Sequence, residues 1–124
     1  MTTHPTTVEL VEAVTLFIEG TVAPQLKDRD AFLARVAVNA LGVIRRELES
    51  GAAAEGAATE RLAVLLGRAG TYAELNAALC AALRVGEMGA DTPGLLKHLR
   101  AETVDRVRID QPKYAGLAAA LEAR

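Results

Sequence analysis

Residues 28–51, DRDAFLARVAVNALGVIRRELESG, hold no proline and repeat large apolar side chains every three or four positions, the period of a helix with one face turned from water. At about 100° per residue, Phe32, Leu33, Val36, Ala37, Ala40, Leu41, Val43, Ile44 and Leu48 form one wide apolar arc. Glu47 falls in the middle of it. Arg35, Asn39, Gly42 and Arg46 align as a second stripe on the more polar side, spaced four, three and four residues apart. A helix of this length sets the class of the fold.

The composition agrees. The chain has 124 residues, enough for one domain that buries roughly two-thirds of the surface its unfolded form exposes. It is 51% hydrophobic but only 3% aromatic, so its core is Leu, Val, Ile and Ala, which suits closely spaced helices. The expected class is all-α. The formal net charge of -2 comes from interspersed acids and bases, a pattern that disfavours nucleic acid as partner. A lone Cys80 excludes an intramolecular disulfide, and two histidines distant from it give no zinc spacing. No cofactor is expected, and a reducing cytoplasm is the expected location. The first residues, MTTHPTTVE, lack the pattern of a signal peptide, and no apolar run reaches the roughly 18 residues that span a bilayer.

Local signals divide the chain into about five helices. Thr6 and Glu9 form a capping box ahead of a first helix that ends near Pro24, with residues 1–5 expected to be flexible. In that helix Leu10, Val11, Val14, Phe17, Ile18 and Val22 fall on one side and Glu9, Glu12 and Glu19 on the other. Asp28 or Asp30 caps the second helix, which stops at Gly51. Residues 51–58, GAAAEGAA, read as a mobile loop. A short third helix from Thr59 carries Leu62, Leu65 and Leu66 and stops at Gly70. A second capping box, Thr71 with Glu74, opens a fourth over about residues 72–85, with Tyr72, Leu75, Leu79, Ala82 and Leu83 inward. Thr92 before Pro93 predicts the start of a fifth that runs to about Arg108, and residues 115–124 form a frayed final helix. Connections this short place neighbours antiparallel, in one bundle spanning residues 1–124.

In the fifth helix the apolar arc is Leu95, Leu96, Leu99, Thr103, Val104 and Val107, which leaves His98 outside and exposed. Arg100 lies inside the arc. A buried lone charge is costly, so Arg100 and Glu47 are expected to pair between helices, serving either helix register or a ligand. Arg35, Asn39 and Arg46 are either a solvated face or a partner-binding patch; the two guanidiniums stand too far apart to grip one phosphate. The polar loop after the fifth helix offers Asp110, Gln111 and Tyr114, either as a recognition site or as a cap and an anchor. Neither histidine has a visible nucleophile or carboxylate to work with, and Cys80 on an Ala-rich helix is expected to pack rather than react.

Four stretches, HPTTVELVEAV, RVAVNALGVIRREL, LNAALCAALRVG and HLRAETVDRVRIDQPKY, together resemble an uncharacterised bacterial helical domain family over most of the chain. The resemblance implies an association with aminoglycoside-phosphotransferase-like kinases and acyl-CoA dehydrogenases, and hence an accessory role in acyl-CoA catabolism. It brings no catalytic residues. The expected function is therefore a non-catalytic accessory or regulatory domain that binds a protein, with self-association favoured by the wide apolar arc. The alternative is a helical module enclosing an acyl or phosphorylated ligand, with an arginine at its mouth.

Overall fold

The computed structural model describes residues 3–122, which contain helix and no strand. The all-α class is as expected. Helix α1 spans Thr7–Phe17, α2 Asp28–Leu66, α3 Tyr72–Arg84, α4 Leu95–Asp110 and α5 Leu117–Glu122. Of the termini, residues 1–2 and 123–124, which fall in the expected flexible start and frayed end, lie outside the described residues. His4 sets its Nδ1 3.0 Å from a Glu9 carboxylate oxygen.

The chain divides into two compact units, one through Gly51 and one from Ala52. The boundary falls inside α2, because the expected loop at 51–58 is helix. Its physical reason is local. Alanine is the best helix former, each glycine costs only about 1 kcal/mol, and extending an existing helix needs no new nucleus. Packing at Ala58 and Leu62, both buried, then holds the extension. Gly51 does not stop the helix; its missing side chain leaves room for the Glu47 carboxylate to lie back over the next turn.

The first unit is a helical hairpin. Both halves of the Thr6–Glu9 capping box form, with Glu9 N–H donating to Thr6 Oγ1 at 3.1 Å and Thr6 N–H to the Glu9 carboxylate at 3.2 Å. After Phe17 the chain widens into one π turn, Ile18–Val22, then tightens into a 3₁₀ turn, Ala23–Gln25, that accommodates Pro24. Asp28 takes a φ of 53°, which an aspartate tolerates, and α2 returns so that Arg45 reaches within 3.9 Å of Glu12. Among the described residues of this unit only Ala34 is buried.

The second unit has a true core. Leu62, Leu75, Leu79 and Leu95 are buried together, and Leu65, Leu66, Tyr72 and Met88 pack around them. The turn from α2 to α3 uses Gly67 at a φ of 68°, and the Thr71–Glu74 capping box opens α3. Helix α4 starts two residues later than a Thr92 cap and Pro93 predict. Thr92 Oγ1 accepts instead from Gly89 N–H at 2.9 Å, stitching the loop, and Gly94 in the left-handed region leads into the helix. The final helix exists as α5, with Leu117 buried.

Candidate functional site

Helix α4 presents its inner face at Leu95, His98, Val104 and Ile109, all buried. His98, expected outside, is only 2% exposed. It is accepted there because α2 and its own helix supply its polar neighbours, and α3 holds one of them in place. Arg61 from α2 donates its Nε–H to His98 Nδ1 at 3.1 Å, and Glu102, one turn along α4, holds a carboxylate oxygen 3.2 Å from His98 Nε2. Tyr72 from α3 donates its hydroxyl to the other Glu102 oxygen.

Because Nδ1 accepts from a guanidinium, the neutral ring carries its proton on Nε2, facing Glu102 but out of line for a hydrogen bond. Burial pushes the His98 pKa down, Glu102 opposes the shift and Arg61 adds to it. The Tyr72 hydroxyl is pushed up to about 12, first by its hydrogen bond to Glu102, then by burial and the carboxylate's charge. Arg61 Nη2 and His98 Nε2 are shut from solvent and meet no hydrogen-bond partner among the described residues. A carboxylate, an imidazole and a guanidinium in series are the parts of an acid–base relay, but a closed-over ring nitrogen can meet no substrate. The cluster acts as a brace tying α2, α3 and α4. The signal for it was the 3, 4 and 7 spacing of Leu95, His98, Glu102 and Ile109, which shares one face but mixes polar with apolar residues.

Of the arc expected to be the core face of α4, Leu95 and Val104 are buried as expected, while Leu96, Leu99, Thr103 and Val107 line an open groove against α5. The groove encloses about 400 Å³, floored by Leu99, Val104, Val107 and Leu117. Two candidates named from sequence meet in it: Arg100 and Tyr114. Tyr114 lays its ring over Gly116, where an added Cβ would come within 2.7 Å. Lys97 and Arg108 are exposed on the same helix, on the stripe beside the groove. Asp110 is not offered to a ligand, since Arg106 binds it through two hydrogen bonds of 2.8 and 2.9 Å. Gln111 ends α4, its N–H donating to the Val107 carbonyl at 2.7 Å.

Glu47 and Arg100, expected as a buried pair, are both exposed. Neither bears the desolvation that motivated pairing them. In the first unit Arg35 and Asn39 line a smaller groove of about 270 Å³ together with Glu19, Ala23 and Phe32. Arg46 is not among its lining residues; it is half-buried and folded against Gly42, where an added Cβ would stand 3.1 Å from its guanidinium. Cys80, expected to pack, is an exposed free thiol.

Among the described residues no group of three or more His, Cys, Asp or Glu is placed to hold a metal, and no helix is long and apolar enough to cross a membrane. Residues 24–114 match the model of a family described as a domain of unknown function, DUF6285. No curated protein and no solved structure matches the chain.

Proposed function

The chain belongs to that family of unknown function, and from this premise we propose that it acts by binding, as a non-catalytic accessory or regulatory domain whose partner is a protein. The carrying observation is the groove between α4 and α5. Its floor is apolar, Arg100 stands in it, and Lys97 and Arg108 flank it. An amphipathic helix with an apolar face and acidic edges has the chemistry to fill such a groove. The resemblance noted from sequence makes a kinase-like phosphotransferase or an acyl-CoA dehydrogenase the partner to seek, with acyl-CoA catabolism in the cytoplasm as the setting. The test is recovery of tagged protein from its native cell. Partners enriched with the natural chain are expected to fall at least tenfold with Leu99→Glu or Arg100→Glu, while the thermal transition stays unchanged; undiminished recovery from both variants would count against the groove.

A second reading has its own support in the same groove. Its volume lies within the roughly 300–1,000 Å³ of small-molecule sites, and one arginine beside an apolar floor suits an acyl chain ending in a carboxylate. Titration with octanoate checks it: saturable binding that Arg100→Gln abolishes would favour the ligand module over the protein partner.

A further inference from the structure

We propose that the hairpin unit pairs with a second copy of this chain through α2, antiparallel across a two-fold axis near Val38. This surface is separate from the α4–α5 groove, so either reading can fail without the other. The proposal begins from how little the hairpin buries. Of its described residues only Ala34 is buried, whereas Leu10, Val14, Phe17, Phe32, Leu33, Val36, Ile44 and Leu48 are each between 45% and 59% exposed. A two-helix layer with an apolar side needs a second layer against it.

All of these exposed residues but Phe32 form one face, and Leu16, 69% exposed, also lies off it. On α1, the half-buried side is Val8, Val11, Thr15 and the following Ile18, and Leu10, Val14 and Phe17 lie about 110° around the helix from it. On α2, the side toward α1 is Ala34, Val38, Leu41 and Arg45, the last within reach of Glu12, and Leu33, Val36, Ala40, Ile44 and Leu48 lie about 110° around in the same sense. Because the two helices run antiparallel, equal rotations in the same sense bring both stripes to one side of the hairpin. Seven large apolar side chains on that side, each roughly half in water, make a contiguous exposed face of the kind that marks a protein interaction site.

Charge selects the second copy over another occupant. Charged residues stand at both ends of the α2 stripe, Arg29 with Asp30 at its edge at one end and Glu47 at the other. Arg29 and Glu47 are 18 residues apart, which is five full turns, so they share one face of the helix. An antiparallel partner related by a two-fold axis midway between them sets Arg29 of each copy opposite Glu47 of the other, and brings Val36 against Ala40 at the crossing. Such a surface is complementary to itself, as an isologous interface requires. Two hairpins joined in this way make a four-helix bundle.

Charge reversal tests both the partner and the register. By light scattering and sedimentation between 1 and 100 μM, the natural chain is expected to be a dimer. Arg29→Glu alone and Glu47→Arg alone each set like charges opposite one another twice and are expected to weaken dimerisation at least tenfold. An equimolar mixture of these two variants is expected to recover it, because each then meets its complement, and the double variant Arg29→Glu/Glu47→Arg is expected to dimerise with itself. Both positions of this test, Arg29 and Glu47, are exposed on α2, and recovery in the mixture and in the double variant separates lost pairing from lost fold. A natural chain that is monomeric throughout the range, or a dimer that neither single reversal weakens, overturns the proposal.

Discussion

Replacing His98 with leucine keeps the volume of a buried side chain but removes the only acceptor that Arg61 Nε has in the brace. Arg61 then keeps a charged group partly inside the protein with Nη2 already unpartnered and Nε newly so. Leaving a buried donor unsatisfied costs about 1–3 kcal/mol, and more when it is charged, while the apolar surface gained by leucine offsets about 1 kcal/mol. A net loss of about 2 kcal/mol is expected. Arg61→Leu leaves the His98 acceptor unsatisfied instead and is expected to lose about 1–2 kcal/mol. The double variant removes both ends, leaves the Tyr72–Glu102 hydrogen bond in place, and is expected to lose only about 1 kcal/mol in all. A coupling of about 2 kcal/mol therefore separates the double variant from additivity. Urea unfolding at pH 8 reads it directly. Both tyrosines, Tyr72 and Tyr114, lie in the second unit and the chain has no tryptophan, so tyrosine fluorescence follows that unit alone. Additive losses would refute the brace and mean that Arg61 satisfies itself in water when His98 is gone.

The same cluster sets a pH dependence. The folded pKa of His98 is held below its ordinary 6.5, so as pH falls through 6.5 the unfolded chain takes up a proton that the folded one resists. The second unit is therefore expected to keep its full stability above pH 7 and to lose it progressively below 6.5, and the pH slope of the melting temperature is expected to flatten in the His98→Leu/Arg61→Leu variant. Continuity of α2 is tested at two glycines. An added Cβ at Gly56 meets nothing within 4 Å inside the helix, so Gly56→Ala is expected to stabilise by up to about 1 kcal/mol; Gly67 has a φ of 68°, so Gly67→Ala is expected to destabilise by about 1 kcal/mol. If residues 51–58 were a loop, Gly56→Ala would bring no such gain in a thermal melt.

What the sequence determined by itself is local. Both capping boxes are closed within four residues, so Thr6 with Glu9 and Thr71 with Glu74 form as read. The inward faces of Leu62 and of Leu75 with Leu79 follow from helical period and lie in the core. Tertiary structure decided what local rules leave open. A glycine that stops one helix is a small penalty inside another, and packing at Ala58 and Leu62 outweighs it. An arc of Leu, Val and Thr on α4 looked inward, yet the helix buries His98, because Arg61 and Tyr72, from 37 and 26 positions earlier in the chain, complete a network with Glu102 that apolar side chains cannot offer. Glu47 and Arg100 each stand in an apolar arc, and pairing them follows only where such arcs are buried, but both residues lie on exposed parts of their arcs, one on the hairpin and one at the α4–α5 groove. Periodicity reports that a face is apolar; which surface covers it depends on contacts between residues far apart in the chain, and those are set only when the helices pack.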